Sequence, residues 1–237
     1  MRKVRTAAAL LAALALGACA TTPNPNAVAE NDPYESTNRE IFALDQKFDH
    51  FLLQPTAEYY DEYVPDSIRN GAHNFLTNLD TPAIFSNDML QGKAGRAGQT
   101  LLRFSVNTTL GIGGIFDMAS RLGVPSHSAD FGQTLALWGA GEGPYLVLPI
   151  LGPDPPRDAI GQAMDFAFDP TVYVHFRQHI WWALGRKYLT IVDVRARNLE
   201  TLTDIERASL DYYATTRSLY RQYRNNEIHN GGAPPQE

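Results

Sequence analysis

Residues 130–158 read DFGQTLALWGAGEGPYLVLPILGPDPPRD and separate two long helical regions of the chain. Within this stretch, residues 134–138 and residues 145–149 are short apolar runs of extended character. The residues that end or separate these runs are Gly139, Gly141, Gly143 and Pro144. Glycine reaches backbone angles that strain other residues, and glycine with proline marks turns. The stretch therefore predicts one small β-hairpin in a chain that is otherwise mainly α-helical.

Helical periodicity is the main pattern on both sides of this stretch, with apolar residues recurring every three or four positions. The first helix is expected to begin at Asp32, which would cap it, with Pro33 at the first helical position. Glu35 stands where a capping box places an acidic residue, and Pro55 disturbs the pattern. Further helices are predicted after Pro65, from Pro82 to a C-cap at Gly92, over residues 96–108, after Pro156, over residues 173–194 and over residues 197–224.

The amino terminus indicates a lipoprotein. Residues 1–18 combine a basic start with a short apolar run, as secretory signal peptides do. Leu16-Gly17-Ala18-Cys19 resembles the bacterial lipobox, in which the cysteine is lipidated and becomes the mature amino terminus. Ala20 follows in place of an aspartate, which favours the outer membrane over the inner membrane. Residues 19–31 are then a polar, flexible tether, residues 32–228 the folded domain and residues 229–237 a polar tail.

Composition excludes several classes of protein. The chain has 237 residues, of which 44% are hydrophobic and 19% charged, enough for one well-packed domain. Cys19 is the one cysteine, so an intramolecular disulfide framework and a multi-thiolate metal site are ruled out. Removal of the three basic residues of the signal peptide changes the net charge from −6 to −9. Such an acidic chain is a poor nucleic-acid binder, because phosphate neutralisation supplies most of that affinity.

Charge is unevenly distributed along the chain. Residues 30–66 contain ten acids and two bases, whereas residues 177–224 contain nine bases and five acids. The basic segment could meet lipid headgroups or an acidic partner, or it could form an ordinary solvated helix face. Trp181 and Trp182 are adjacent and would point about 100° apart on a helix. At least one of these indoles is therefore expected to leave the core.

Motifs for nucleophilic or metal chemistry are weak. The chain has neither a G-x-S-x-G elbow nor an H-E-x-x-H helix. Residues 139–143, GAGEG, lack the Lys-Ser/Thr of a phosphate-binding loop, so they are interpreted as a turn. His175 and His179 have the spacing of two metal ligands, but no third ligand is evident nearby. A surface position is the preferred interpretation of both histidines, and no metal site is predicted.

Two pairs of carboxylates could in principle support acid–base catalysis: Asp154 with Asp158, and Asp165 with Asp169. Acids at helix borders more often cap the helix, and capping is the preferred interpretation of both pairs. The sequence therefore predicts that the protein is not an enzyme.

The motifs of the mature chain resemble those of the MlaA/VacJ family of outer-membrane lipoproteins, from Asp32 to about Gly231. The matching residues on the amino-terminal side are Asp32-Pro33-x-Glu35, Asn38-Arg39, Arg69-Asn70-Gly71, Asn78-Leu79, Leu90-Gln91-Gly92, Arg103-Phe104, Asn107-Thr108, Gly111, Gly113-Gly114 and Asp117. Those on the carboxyl-terminal side are the residues 130–135, Trp138-Gly139, Gly143-Pro144-Tyr145, Gly152-Pro153, Arg157-Asp158, Asp193, Arg195, residues 210–213 and Arg217-Ser218. The chain departs from the family pattern at Asp154-Pro155-Pro156, where a small polar residue is expected after Gly152-Pro153.

This resemblance implies a single helical ring-like domain in the periplasmic leaflet of the outer membrane, with an amphipathic channel through its centre. Such a protein removes mislocalised phospholipid from the outer leaflet and passes it to a periplasmic carrier of the MlaC type, beside a trimeric porin. No cofactor is implied beyond the covalent lipid on Cys19. The alternative is a structural or adhesive surface-associated lipoprotein without transport activity.

Two groups of residues are candidates for the channel and its gate. Asn107, Gly111, Gly113 and Gly114 are expected to let helix ends approach or bend beside the channel. The gate candidates Gly139, Gly143 and Pro144 belong to residues 131–152, which we expect to form either a movable gate or a permanently packed hairpin.

Overall fold

The computed structural model describes residues 30–173 and 179–230. Cys19, the signal peptide and His175 lie outside the described residues. The amino-terminal helices are α1 (Glu35–Phe48), α2 (Gln54–Tyr63), α3 (Asp66–Leu90), α4 (Ala94–Thr109) and the short α5 (Met118–Arg121). Then follow α6 (Phe131–Leu137), β1 (Val147–Leu148), β2 (Gly152–Pro153), α7 (Pro156–Phe168), α8 (His179–Arg197), α9 (Leu199–Ala208) and α10 (Tyr212–Asn230).

The start of the first helix differs from its prediction. Helix α1 begins at Glu35, and the residue at its N-cap, Tyr34, makes no side-chain cap. The Asp32 carboxylate is fully buried and accepts hydrogen bonds from Asn38, Tyr213 and Arg217 instead. A cation and a phenol stabilise a buried carboxylate far more than a backbone N–H at a helix start does. The tertiary contacts of Asp32 therefore replace the predicted cap.

Proline acts differently at the two positions where it was expected to interrupt a helix. Before Pro55, the backbone passes through a π-helical turn, Asp49–Leu53, and then continues directly into α2. Pro82 lies inside α3, so the predicted separate element from Pro82 to Gly92 is wrong, although Gly92 has the expected positive φ of 71°. Packing of α3 against α4 along this length holds the helix together, although proline supplies no N–H donor.

The hairpin is present, but not where the sequence placed it. Val147 pairs with Pro153 and Leu148 with Gly152 in an antiparallel register. Of the first predicted strand, residues 134–138, the first four belong instead to helix α6 and Trp138 follows the end of that helix. Asp130 caps this helix, because its carboxylate accepts a hydrogen bond of 2.8 Å from the Gln133 N–H. The cap stabilises a helix here more than β propensity stabilises a strand over the same short apolar run.

The carboxyl-terminal helices are also divided differently. The structure places residues 179–197 in α8, and the predicted helix over residues 197–224 is broken into α9 and α10. Leu210, expected on the apolar stripe of one long helix, lies in the break and is fully exposed. Asp211 caps α10 by accepting a hydrogen bond from the Ala214 N–H. Helix α10 extends to Asn230, two residues into the predicted tail.

Packing between the elements forms a closed circuit. Helix α3 contacts α7, α7 contacts α6, and α6 contacts α10. Helix α10 meets α1 through the edge-to-face rings of Tyr213 and Phe42, whose centroids are 5.6 Å apart. Helix α1 continues into α2, which packs on α8, and α8 returns to α3. The domain is therefore a helical ring, as the resemblance implied.

The distribution of polar and apolar side chains is the reverse of that in a water-soluble domain. Among the described residues, 17 polar or charged residues are buried, against 12 hydrophobic residues of which five are alanines. In the same part of the chain, 33 large hydrophobic side chains are exposed. Contiguous exposed apolar surface marks contact with a membrane or a partner. No helix of the described residues has the length and apolarity to cross a bilayer.

The basic carboxyl-terminal segment is largely paired with acids of the same chain. Arg195 forms a bidentate pair with Asp49, with N···O distances of 2.9 and 2.8 Å, and Arg217 binds Asp32. These contacts join the acidic start of the domain to its basic end. Trp181 and Trp182 are 73% and 42% exposed, which confirms that an indole leaves the core.

Candidate functional site

A polar cavity of about 130 Å³ lies between α3, α4 and the loop that follows α5. Its lining residues are mainly amides, hydroxyls and imidazoles: His73, Asn74, Thr77, Asn78, Thr81, Ile84, Thr100, Arg103, Asn107, Asp117, Ser126 and His127. Ile84 is the one aliphatic residue among them. The wall therefore combines hydrogen-bonding groups with the apolar parts of its threonines, arginine and isoleucine.

Asn107, a predicted channel residue, joins two walls of this cavity. Its side-chain amide donates to Asp117 at 3.0 Å, and its oxygen accepts from the Ala119 N–H at 2.8 Å. Arg103 Nη2 donates to both oxygens of the same carboxylate. Although burial opposes the charged form, hydrogen bonds from Ser120, Arg103 and Asn107 lower the pKa of Asp117 to about 2. Asp117 is thus a fixed negative charge at physiological pH.

A second polar cluster closes the opposite side of the cavity. The Asp88 carboxylate is fully buried and lies 2.9 Å from His127 Nε2. The Thr100 hydroxyl donates to the same carboxylate at 2.7 Å. His127 uses one nitrogen for both Asp88 and Thr100, so this is not the nucleophile–base–acid relay of a hydrolase. The cluster instead fixes the loop after α5 onto α3 and α4.

The central glycines form the turn that ends α4. The Gly114 N–H donates to the Asn107 carbonyl at 2.8 Å, and the Phe116 N–H donates to the Gly111 carbonyl at 2.9 Å. A Cβ on Gly111 would lie 2.2 Å from the Phe116 carbonyl oxygen, and one on Gly114 would lie 2.5 Å from Asn78 Cβ. Gly111 and Gly114 therefore leave no room for a side chain beside Asn78 and Asn107 of the cavity wall, whereas Gly113 faces open space. A channel role for these glycines stays a prediction.

Gly111→Ala is expected to lower the free energy of unfolding by about 1–3 kcal/mol, because the added methyl overlaps backbone atoms that cannot move independently. Gly113→Ala is the matched control, since a Cβ at Gly113 meets open space and only its positive φ of 70° is unfavourable. Thermal unfolding of the two variants in detergent would compare them. Equal stabilities would contradict a close-approach role for Gly111.

The gate candidates lie elsewhere, and none of Gly139, Gly143 and Pro144 lines the cavity. Gly139 follows the end of α6 with a φ of 93°, and Gly143 has a φ of 79° beside Pro156. The Gly143 carbonyl accepts a hydrogen bond of 2.7 Å from the Asn31 side chain. The last two residues of the predicted tether, Glu30 and Asn31, are thus held against this loop, since the Glu30 carbonyl also accepts from Arg221.

Three side chains of the proposed gate segment are packed in the interior. Tyr145 and Val147 are buried with Phe42 and Tyr213 in the main hydrophobic cluster, and Phe131 is buried at the start of α6. The exposed residues of the segment are 137–141, Gly143 and 149–151. Both alternatives for the segment, a movable gate and a permanently packed hairpin, stay predictions.

The paired acids are mostly not caps. Asp165 accepts hydrogen bonds from the Phe131 N–H and from Asn87, and burial raises its pKa to about 6. Burial and the nearby Asp158 charge raise the pKa of Asp154 to about 6. Asp158 is bound by Arg157 and Arg224. Of these four acids, only Asp169 caps, by accepting from the Thr171 N–H, so the capping interpretation of the other three is wrong.

Asp165→Asn is expected to stabilise the fold at pH 7 and to flatten its pH dependence between about pH 4 and 6. The folded-state pKa of about 6 exceeds the ordinary value of 3.8, so the native protein binds a proton more tightly than the unfolded chain. Its stabilising contribution is therefore present at low pH and lost as pH rises through 6. Urea unfolding at pH 4.5 and 7.5 measures the difference. The exposed Asp204→Asn is the control, and an unchanged slope in Asp165→Asn would contradict the assignment.

Several lining residues carried no signal in the sequence as site residues. His73 and His127 of the wall, and Asp88, which binds His127, carry no motif around them in the sequence, and only the tertiary fold brings them together. Arg103, Asn78 and Asp117 matched the family pattern but had no assigned role. Among the described residues, no three His, Cys, Asp or Glu side chains are grouped as metal ligands.

Comparison with known proteins places the chain in a family. Residues 30–227 match the family model described as "MlaA lipoprotein". The intermembrane phospholipid transport system lipoprotein MlaA of Haemophilus influenzae is 34% identical over 94% of this chain and 90% of its own length. Its namesake from Escherichia coli is 33% identical over 99% of this chain and 93% of its own length.

A solved structure from work on the "structural basis for maintenance of bacterial outer membrane lipid asymmetry" has a similar fold. The TM-score is 0.74 at 33% identity, covering 83% of this chain and 98% of that chain. The family model thus matches residues 30–227, which contain the ring of helices, the short hairpin and the glycine turn at the cavity wall. The chain belongs to the MlaA lipoprotein family.

Proposed function

We propose that this protein is the outer-membrane lipoprotein of an intermembrane phospholipid transport system. It removes phospholipid mislocalised in the outer leaflet and passes it to a periplasmic carrier, so that lipid asymmetry is maintained. The protein moves phospholipid from one place to another, and this does not require it to make or break a covalent bond. Family membership and the names of its relatives support this function.

The observation that carries the proposal is the reversed distribution of side chains. The outside of the ring presents exposed apolar groups such as Phe51, Phe166 and Trp181, while the cavity between α3 and α4 is polar. A phospholipid has a polar headgroup and apolar tails, so it needs both kinds of surface within one protein. An adhesive or structural lipoprotein would not require buried amides and carboxylates in place of an apolar core.

The proposal also includes a lipid anchor, a location in the membrane and two protein partners. Cys19 carries the covalent lipid, which serves as anchor and is the only attached group. The ring lies in the periplasmic leaflet, where its exposed apolar side chains contact acyl chains. A trimeric porin beside the ring and a soluble carrier of the MlaC type are the proposed protein partners. The free energy of transfer comes from the carrier and from the lipid's own preference.

Transfer of a fluorescent phospholipid tests the proposal. Proteoliposomes that contain the lipidated protein are mixed with a soluble periplasmic carrier, and lipid reaching the carrier is measured. Thr77 lines the cavity with an exposed side chain, so Thr77→Trp is expected to fill the cavity and to reduce transfer at least ten-fold. Ile68→Trp is the matched control, because at about 100° per residue Ile68 lies about 180° from Thr77 on α3. Equal transfer by vesicles with and without the wild-type protein would contradict the function.

A further inference from the structure

His73 lies on α3 in the wall of the polar cavity, and its side chain is 42% exposed. Its Nδ1 atom lies 2.7 Å from Oδ2 of Asp193 on α8. An ionised carboxylate can only accept, so Nδ1 carries a proton and donates to Asp193. The other ring nitrogen, Nε2, is then an acceptor in the neutral imidazole and a donor in the charged imidazole.

The Nε2 atom of His73 is the part of the ring that can meet a ligand. Within residues 30–173 and 179–230 it makes no hydrogen bond, and it is not one of the buried unpaired atoms there, so it is accessible. Asp193 does not belong to the lining of the polar cavity. Because Nδ1 is directed at Asp193, the ring edge that contains Nε2 is the one that lines the cavity.

Asp193 is almost fully buried behind His73 and is already paired with a cation. It lies in the wall of a second cavity, of about 220 Å³, between α2, the start of α3 and the end of α8. Its Oδ2 atom accepts a second hydrogen bond, of 3.1 Å, from Arg197 Nε. Asp193 and Arg197 together have no net charge. A proton on His73 therefore adds one uncompensated positive charge to the wall of the polar cavity.

The other charged and titratable groups around His73 do not supply such a charge. Tyr60 of α2, which is beside Asp193, is uncharged at neutral pH because burial raises the pKa of its hydroxyl. A proton on His127 would neutralise the fully buried Asp88, and the His127 side chain is only 7% exposed. The nearby arginines are paired with acids: Arg103 with Asp117, and Arg69 with Asp61 and Asp66.

Thr77 supplies a second donor beside His73. It lies four residues later on α3, lines the same cavity and is exposed. Residues four apart on a helix are neighbours, with about 5–6 Å between their Cβ atoms. A hydroxyl and a charged imidazole at this spacing can donate to two oxygens of one phosphodiester.

We propose that His73 and Thr77 bind the phosphodiester of a phospholipid in the polar cavity, and that this contact requires a proton on His73. The charged imidazole donates from Nε2 to one oxygen, and the Thr77 hydroxyl donates to another. When the proton leaves, Nε2 is an acceptor that faces an anion, and the contact is lost. Asp193 is a positioning residue, which fixes the ring through Nδ1. The proposal rests on the proposed function, which supplies the lipid.

Calorimetric titration of the full-length lipidated protein in non-ionic detergent, at about pH 5.5 and about pH 8, tests the proposal. Imidazoles titrate within this range, whereas a phosphodiester stays anionic throughout it. We expect dihexanoylphosphatidylglycerol to bind about ten-fold more tightly at the lower pH. Dihexanoylglycerol, which has no phosphate, should bind equally at both values. A pH-independent affinity for the phospholipid, or the same pH dependence for both lipids, would overturn the proposal.

A third probe identifies the source of the phosphodiester. Glycerophosphoglycerol carries the same headgroup without acyl chains, and we expect it to bind at least about ten-fold more weakly than the phospholipid, because it buries no apolar tail. If it bound as tightly as the phospholipid, the site would take a soluble phosphodiester and the assignment to a lipid would be wrong. If no phosphodiester bound at either pH, the site itself would be excluded.

His73→Asn is the decisive variant, because the amide can still donate to Asp193 from the position of Nδ1 but has no group at the position of Nε2. Its affinity for dihexanoylphosphatidylglycerol is expected to be the same at both pH values and to equal the weaker affinity of the wild type. His229→Asn is the matched control, since His229 is exposed on α10 and does not line the cavity. It should keep the pH dependence of the wild type. If His73→Asn also kept it, another group would carry the charge and the proposal would be wrong.

The transfer assay with proteoliposomes separates this proposal from the proposed function. If the wild type transfers lipid to the carrier but its lipid affinity does not change with pH, the function stands and the role of His73 is wrong. If the wild type binds the phospholipid with the expected pH dependence but transfers none to the carrier, the site stands and the proposed function fails.

Discussion

Replacement of Asp32 by alanine is expected to lower the free energy of unfolding by about 3–5 kcal/mol, because it leaves the buried Arg217 guanidinium with only the exposed Glu30 carboxylate, 3.9 Å away. The Asp32 carboxylate is 0% exposed and lies 2.7 Å from Arg217 Nη1. It also accepts hydrogen bonds of 2.5 Å from the Tyr213 hydroxyl and 2.8 Å from Asn38. The Tyr213 hydroxyl would lose its acceptor, while Asn38 would keep only its hydrogen bond to the Tyr145 carbonyl. Such a loss is a large share of the stability of an ordinary domain.

Thermal or urea unfolding in detergent, followed by circular dichroism, measures this effect. Glu35→Ala is the matched control, since it removes a carboxylate three residues away that pairs with Arg39 near the surface at 2.8 Å. Partly exposed i,i+4 pairs contribute less than about 1 kcal/mol, so Glu35→Ala should unfold close to the wild type. If Asp32→Ala unfolded like Glu35→Ala, the buried pair with Arg217 would not exist in the folded protein.

Replacement of Cys19 by alanine is expected to abolish retention in the outer membrane. Each buried methylene of an acyl chain contributes about 0.8 kcal/mol to membrane binding, so a lipidated amino terminus does not dissociate measurably. Without the thiol no lipid can be attached, and the protein should be found unprocessed or released to the periplasm. Its many exposed apolar side chains should also lower its abundance there.

Fractionation of cells after a high-salt wash, with immunoblotting of each fraction, measures the location. Ala18→Gly is the control, because it keeps both the cysteine and a small residue before it. Persistence of Cys19→Ala in the outer-membrane fraction at wild-type level would show that the apolar surface of the ring is a sufficient anchor. The covalent lipid would then not determine localisation.

Prediction from the sequence was accurate where short-range patterns decide the structure. Residues 96–108 were predicted as a helix and lie within α4, since apolar periodicity reports one buried helix face. The turn glycines were also recognised, because Gly113 and Gly114 have positive φ, which few other residues adopt. Prediction was less accurate at residues 134–138, where a short apolar run fits either a strand or a helix.

The sequence by itself determined the helical class, the family and the glycine turn beside Asn107. These follow from local spacing, from residue identity and from motif order. Only the tertiary structure decided that Asp32 binds Arg217, 185 residues away, and that His73 and Asp193 join two cavities. Helix periodicity extends over a few turns, whereas the pairing of a buried charge depends on which distant residue the fold brings to it. In a ring with a polar interior, such long-range pairs position the residues around both cavities.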